Sequence, residues 1–199
     1  MPYSDHFKLT DDLIQHLDPI LAGLNDPFIE SRYTGFLSVS SVTVLELAMK
    51  TIFMDFANVK HKILANFCTK HFDRINGRIG LKLIQEDYLA RFGSKYQTRF
   101  AKALEKLERQ ELLASGSSIK ASYGNLLTWR NEFAHGGNVP ANASYAEVKR
   151  AFGCGKPVSY THLAMPQKFQ MERRYINTFL KMLFYAHVLR RFAPKKRLL

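Results

Sequence analysis

The stretch from Ser40 to about Phe72 contains neither glycine nor proline, and this feature constrains the fold most. Glycine and proline usually end helices, so a run without them predicts a helix long enough to cross a whole domain. Its apolar residues recur at the spacing of one helical face: Val42, Leu45, Met49, Ile52, Phe53 and Phe56. The sequence therefore predicts a long helix with this face in the core.

The residues before this stretch predict one further helix and then an irregular segment. Thr10-Asp11-Asp12 offers a capping hydroxyl and two acidic side chains, which favour the positive end of a helix, so a helix is predicted to begin there. Gly23 is predicted to end it. Residues 24–38 are predicted to be irregular, because Asn25-Asp26-Pro27 is typical of a turn.

The residues after the stretch divide into shorter helices, each bounded by glycine, serine or proline. The predicted helices are Leu81 to Phe92 before Gly93, Ser94 to about Ser115, Ser117 or Ser118 to Phe133 before Gly136-Gly137, a short one near Tyr145 to Phe152, and a last one over about 167–192. Residues 138–167 are otherwise predicted to be loop.

No segment shows the apolar–polar alternation of a strand, so the predicted fold class is all-α. The chain has 199 residues, 46% of them hydrophobic and 13% aromatic, which is enough for a substantial core and excludes a disordered chain. We predict a bundle of two long helices plus several shorter ones, forming a single domain over residues 1–199. Its core is predicted over about 38–152, with the C-terminal helix over about 167–192 packing on it.

Three absences from the sequence bound the environment of the protein. No apolar run reaches the length of about 18 residues that a membrane span needs, so no membrane partner is expected. The start, Met1 to Asp5, has neither the basic nor the apolar region of a secretion signal. Two cysteines, Cys68 and Cys154, form neither a disulfide framework nor a four-ligand zinc site. We expect a cytoplasmic protein with no metal and no other cofactor.

The charge of the chain is unevenly distributed. The formal net charge is +12, yet residues 1–60 carry 4 basic and 8 acidic side chains, whereas residues 121–199 carry 13 and 3. An excess of basic residues in the later part favours a polyanionic partner, with nucleic acid as the leading candidate. A solvated basic surface is the alternative. No compact helix-turn-helix with a basic recognition helix is present, which disfavours a DNA-binding regulator.

The segment 129–137 is the most informative part of the sequence for function. At about 100° per residue, Asn131 and His135 share one helical face, and Arg130 stands about 140° from His135. The aromatic residues of the segment fall on the opposite side: Trp129 and Phe133. An apolar face is therefore predicted to anchor the helix while the three polar side chains line its other side.

These residue types suit cleavage of RNA without a metal. His135 lies in the last turn before Gly136, and a histidine that titrates near neutral pH can take and give protons. Arg130 offers a planar fork that suits phosphate, and it can stabilise the charge that develops on the phosphorus oxygens. Asn131 is placed to hydrogen-bond a ring nitrogen of His135. The alternative is that a basic residue, a histidine and a glycine merely cap the helix.

The pattern Arg130-Asn131-x-x-Ala134-His135-Gly136 resembles the signature of the HEPN superfamily, in which an arginine and a polar residue precede a histidine near the end of a helix. The long helix with Glu46, followed by a helix ending at Phe92-Gly93, resembles the sub-group called RiboL-PSP-HEPN. The resemblance covers roughly residues 38–152.

The resemblance implies a metal-independent endoribonuclease in which two copies pair as a homodimer and their motifs face each other across one cleft. It implies that Arg130 and His135 are catalytic and that Asn131 supports them. Related domains often place an acidic residue on the corresponding long helix, which makes Glu46 a candidate for positioning Arg130 or tuning His135. The alternative for Glu46 is a surface pair with Lys50, four residues on.

The resemblance also implies a role as a toxin or anti-phage effector, restrained by an antitoxin or regulatory protein. Some members carry a tyrosine two residues after the histidine, which a partner nucleotidyltransferase modifies; Gly137 occupies that position here, so that mode of neutralisation is not expected. Cleavage is expected to leave a 2′,3′-cyclic phosphate. The alternative function is a catalytically silent helical module that binds RNA or a protein, which a His135 buried against its own helix end would favour.

Overall fold

The structure, a computed structural model of the chain, describes residues 2–161, and these residues form helices and no strand. The α-helices are α1 (Pro2–Ala22), α2 (Pro27–Lys60), α3 (Lys62–Phe72), α4 (Leu81–Leu83), α5 (Ser94–Ser115), α6 (Ile119–Gly136) and α7 (Tyr145–Thr161). A π-helical turn, Ile84–Tyr88, and a 3-10 turn, Leu89–Phe92, join α4 to α5. The all-α prediction is confirmed. The helix predicted over about 167–192 lies outside the described residues.

Helix α2 forms the centre of the bundle. Helices α1, α3, α6 and α7 all pack against it. The stripe predicted from the sequence is buried in the core except for Phe56, which is partly buried and packs against it. Residues of other faces of α2, such as Leu37 and Val44, are buried as well. The length and apolar character of α2 would suffice to cross a membrane, and the core helix of a bundle has the same properties.

The predicted irregular segment 24–38 is wrong beyond residue 26, because α2 begins at Pro27. The side chain of Asp26 accepts hydrogen bonds from the backbone N–H groups of Phe28 (2.9 Å) and Ile29 (3.2 Å). Proline suits the first helical position, since its missing N–H would have no partner there. Asp26 and Pro27, which the sequence suggested as part of a turn, therefore form the start of α2, the longest described helix.

The long helix predicted to run to about Phe72 is also interrupted. At His61 the backbone is extended, with φ −166° and ψ 140°, so the chain leaves α2 and starts α3. The His61 ring accepts a hydrogen bond from the backbone N–H of Ile63 at 3.1 Å and caps α3. The break allows Phe72 of α3 to stack on Phe53 of α2, with their ring centroids 4.5 Å apart.

The bounds of α1 and α7 also differ from prediction. Thr10 does not cap α1; it is buried within the helix, and its hydroxyl bonds to that of Ser40 at 2.9 Å. Helix α7 continues past Phe152 to Thr161. Its Gly155 packs closely on α2, where an added Cβ would lie 3.1 Å from Cδ1 of Leu45. This packing keeps helical a segment that its glycines and proline would otherwise break.

Ion pairs between α1 and α7 neutralise part of the charge asymmetry. Lys149 binds Asp18 at 2.6 Å and Lys156 binds Asp11 at 2.5 Å. The hydrogen bond from Lys149 lowers the pKa of Asp18 below its usual value. Two acidic residues of the first third of the chain thus form ion pairs with two of the basic residues that suggested a polyanionic partner. Residues 162–199, beyond the described part, contribute 9 basic and 1 acidic side chains.

Candidate catalytic site at the end of helix α6

Local capping fixes both ends of α6, the helix that carries the motif. Ser118 accepts a hydrogen bond from the backbone N–H of Ala121 at 3.0 Å, as predicted for one of the two serines. At the other end Gly137 is left-handed, with φ 66° and ψ 9°, and its N–H donates to the carbonyl of Phe133 at 2.8 Å. Glycine suits this conformation because it has no Cβ. The motif therefore ends where the sequence predicted.

The apolar side of α6 anchors the helix as predicted. Trp129 is only 5% exposed, and its indole N–H donates to Oδ1 of Asn142 at 3.2 Å. The ring of Phe133 lies against Gly35 of α2, so close that a Cβ atom on Gly35 would stand 2.1 Å from ring atom Cδ2. The polar side chains of Asn131 and His135 are exposed. The end of α6 is thus held by its packed aromatic side, and it exposes Asn131 and His135 to solvent.

Asn131 binds Arg130 instead of His135. Oδ1 of Asn131 accepts a hydrogen bond from Nη1 of Arg130 at 2.7 Å. A guanidinium is a charged donor, and such a bond is stronger than one between two neutral groups. The expectation that Asn131 bonds the His135 ring is therefore wrong in this structure, and Asn131 instead orients the arginine.

Arg130 also lies against the backbone of Gly77, in the segment between α3 and α4. Gly77 has φ +78°, and a Cβ atom there would stand 1.8 Å from Nη2 of Arg130. Two hydrogen bonds hold this segment: the buried hydroxyl of Tyr123 donates to the carbonyl of Ile79 at 2.9 Å, and the partly buried hydroxyl of Tyr88 donates to the backbone carbonyl of Arg78 at 2.8 Å. The guanidinium therefore rests on a surface that only glycine provides.

Glu46 of α2 contacts the same glycine. Its Oε2 accepts a short hydrogen bond from the N–H of Gly77, and its Oε1 pairs with Lys50 at 2.8 Å. The pair with Lys50 is the alternative given above for Glu46. The hydrogen bond to Gly77 also connects the same carboxylate to the backbone on which the Arg130 guanidinium lies. Within the described residues Glu46 forms its ion pair with Lys50, and its connection to Arg130 runs through Gly77.

Sequence reasoning missed Arg32. From the second turn of α2, Nη1 of Arg32 donates to the carbonyl of Gly137, two residues after His135. A basic side chain at this place also suits the partial negative charge of a helix C-terminus. Arg32 was overlooked because residues 24–38 were predicted to be irregular. Its spacing of four residues from Phe28 and from Phe36 is typical of one helical face and was the available signal.

The remaining candidates for chemistry are structural. Cys68 and Cys154 are both buried, and burial raises the pKa of each thiol. Among residues 2–161 no cluster of histidine, cysteine or acidic side chains is arranged to hold a metal ion. The side chains assembled at the end of α6 are thus an arginine with its supports, an exposed histidine and a second arginine.

Comparison with known families gives a match to most of the chain. The family model described as RiboL-PSP-HEPN matches residues 4–160, from the first turns of α1 to the end of α7. This match includes α1 and the start of α2, which the resemblance over roughly 38–152 left out. No curated protein and no solved structure matches the chain.

Proposed function

Because the chain belongs to the RiboL-PSP-HEPN family, we propose that it is a metal-independent endoribonuclease that cleaves RNA through the substrate's own 2′-OH. The observation that carries the proposal is the arrangement at the end of α6. Arg130 is oriented by Asn131 and Gly77, while His135 is exposed in the last turn of the same helix. His135 is not buried against its own helix end, which is the arrangement that would have favoured the silent binding module.

In the proposed reaction the 2′-oxygen attacks the adjacent phosphorus and the bond to the 5′-oxygen breaks. His135 takes the proton of the 2′-OH, and a second acid gives a proton to the leaving 5′-oxygen. Arg130 binds the non-bridging oxygens, whose negative charge increases as the fifth bond to phosphorus forms. The products are a 2′,3′-cyclic phosphate and a 5′-OH.

Asn131 and Glu46 act in this proposal as positioning residues. Asn131 holds the guanidinium at 2.7 Å, which limits the orientations of a long side chain. Glu46 holds the N–H of Gly77, against which that guanidinium lies. Correct placement of a charged group before the reaction is what allows it to stabilise the transition state.

We further propose that two copies of the chain pair so that their motifs share one cleft. Arg130 and His135 project about 140° apart around one helix, so one copy presents them on different faces. A two-fold axis would supply an arginine and a histidine from each copy, and the second histidine would provide the acid for the leaving group. The proposal extends to a cytoplasmic toxin or phage-defence role with a restraining partner protein.

The test is cleavage of an end-labelled tRNA pool in EDTA by the wild type, His135→Ala and His16→Ala. His16 is an exposed histidine on α1, outside the proposed site, and so provides a matched control. We expect the wild type and His16→Ala to cleave equally and His135→Ala not to cleave. Equal cleavage by all three would place the activity elsewhere, and cleavage by none would favour the silent RNA- or protein-binding module.

A further inference from the structure

The first three turns of α2 expose two phenylalanines beside the candidate site. Phe28 is 65% exposed and Phe36 is 52% exposed. They lie four residues before and four residues after Arg32, so the three side chains follow one another along one side of α2. We call Phe28, Arg32 and Phe36 the aromatic–arginine face.

Two contacts place this face next to the motif. Arg32 donates a hydrogen bond to the carbonyl of Gly137, at the end of α6. Phe133 of α6 lies on Gly35, the residue just before Phe36. The aromatic–arginine face therefore adjoins the helix end that carries His135.

We propose that the aromatic–arginine face binds the unpaired bases and the backbone of a single-stranded RNA substrate next to the scissile phosphate. The inference rests on the proposed function, since it assigns a substrate class to the same site. Aromatic rings stack on bases of any sequence, and an arginine between them suits the phosphate that links such bases. The Arg32 guanidinium lies over one face of the Phe28 ring, with Cζ 4.7 Å from the ring centroid, so a base would stack on the other face. Within the described residues the structure gives this guanidinium one hydrogen bond, so further N–H groups remain to contact a phosphate.

The spacing of the two rings favours a single strand. Eight residues of α-helix separate Phe28 from Phe36, a distance of about 12 Å along the axis. Bases stacked in a duplex lie only about 3.4 Å apart and expose no free ring face to a protein side chain. Two rings at the wider spacing can each accept a base only from a strand whose bases are splayed apart.

The charge of the face favours RNA over a second copy of the chain. The proposed dimer already brings the Arg130 side chains of two copies to one cleft, and a direct contact between two aromatic–arginine faces would add two Arg32 guanidinium groups to the same positive charge. A polyanion neutralises these groups instead. Exposed phenylalanines with a cation between them thus match a nucleic acid better than a like-charged protein surface.

Binding can be measured without cleavage in the His135→Ala protein, by fluorescence anisotropy of a labelled oligoribonucleotide as a single strand and as a duplex. Adding Phe28→Ala or Phe36→Ala is expected to weaken single-strand binding by about 5- to 100-fold and to leave duplex binding unchanged. The matched control is Phe67→Ala, which removes a phenylalanine on α3 that is 61% exposed. Phe28→Trp is expected to retain binding.

A salt series tests Arg32 separately. Arg32→Gln is expected to reduce the slope of the logarithm of the binding constant against that of salt concentration by about one, as loss of one phosphate contact does. The control is Arg109→Gln, which replaces an exposed arginine of α5.

Three results would overturn the inference. In the first, both phenylalanine variants bind the single strand as tightly as the parent His135→Ala protein does. In the second, the parent does not bind RNA. In the third, the variants convert a dimer to a monomer while their RNA affinity is unchanged. The last would identify the face as a protein interface. Failure of the proposed function would give a different result. The wild-type protein would then bind single-stranded RNA through this face but would not cleave it in EDTA.

Discussion

Gly77 and Arg130 are in such close contact that no side chain at position 77 leaves the arginine in place. A Cβ atom on Gly77 would stand 1.8 Å from Nη2 and 2.6 Å from Cζ of Arg130. The atoms that would have to move belong to the far end of a flexible side chain, so the cost falls on the position of the guanidinium more than on the fold.

Gly77→Ala is therefore expected to reduce RNA cleavage by about 100-fold, the effect of misplacing a catalytic group by about 1 Å. It should also lower the free energy of unfolding by about 1–2 kcal/mol, because alanine is strained at φ +78°. The matched control is Gly116→Ala: Gly116 has φ +69° and no atom within 4 Å of an added Cβ. Equal cleavage by the two variants would show that the contact with Arg130 does not matter.

Glu46→Gln should separate the two contacts of that carboxylate. Glutamine can still accept the N–H of Gly77 but loses the charge that pairs with Lys50, so we expect most of the cleavage to remain. Glu46→Ala leaves that N–H without its acceptor, at a cost of about 1–3 kcal/mol in the free energy of unfolding, and should lower cleavage. Denaturant titrations and initial cleavage rates measure the two effects.

The control for Glu46 is Glu86→Ala, which breaks an exposed pair with Lys82 at 3.9 Å. It should change neither cleavage nor stability beyond about 0.5 kcal/mol. If Glu46→Gln lost as much cleavage as Glu46→Ala, the charge of Glu46 would matter, and its assignment as a positioning residue through Gly77 would be incorrect.

Stability should depend on pH through His71. Burial, and then the positive charge of Arg91, lower the pKa of His71 below its usual 6.5, while Asp87 opposes them. The folded chain therefore binds fewer protons at this site than the unfolded chain below pH 6.5, and the free energy of unfolding should fall as the pH drops through that range. Urea titrations of the wild type and His71→Gln from about pH 7.5 to about pH 5.5 measure this.

His71→Gln should make the dependence of stability on pH less steep, and His16→Gln, on the exposed side of α1, should leave it as in the wild type. A slope that is unchanged by His71→Gln would contradict the prediction.

Gly35→Ala should destabilise the attachment of α6 to α2. The new methyl group would lie 2.1 Å from Cδ2 of Phe133, so the ring must move, at a cost of about 1–3 kcal/mol. Adding Phe133→Ala should remove much of that cost, which makes the pair of substitutions non-additive. Gly124→Ala in α6 meets no atom within 4 Å and should instead stabilise by about 0.5–1 kcal/mol. Thermal unfolding of the wild type, Gly35→Ala, Phe133→Ala, the double variant and Gly124→Ala tests this.

Local signals in the sequence were sufficient for α6 and its motif. Ser118 and Gly137 act through residues within one helical turn, so the bounds of this helix could be predicted. The same holds for the end of α5, where Gly116 is left-handed. The family was also identified from the motif, and the match over residues 4–160 confirms it.

The errors have two physical origins. Asn25-Asp26-Pro27 can form a turn or cap a helix, and packing further along α2, such as that of Gly35 against Phe133, favours the helix. Tertiary packing keeps Gly155 within α7, where sequence alone predicts a break. The roles of Arg130, Asn131, His135 and Glu46 remain predictions. Gly77 could not be found from the sequence, because it meets the motif from another segment, and the only signal for Arg32 was its helical spacing with Phe28 and Phe36.

A single helix carries both remote supports of the site. Arg32, near the start of α2, binds the end of α6, and Glu46, in the middle of α2, fixes the backbone under Arg130. Fourteen residues separate them, which is about 21 Å of continuous helix. Inserting or deleting one residue between them would turn one support by about 100° relative to the other. The length of α2 between Arg32 and Glu46 therefore sets how the two contacts of the candidate site are oriented relative to each other.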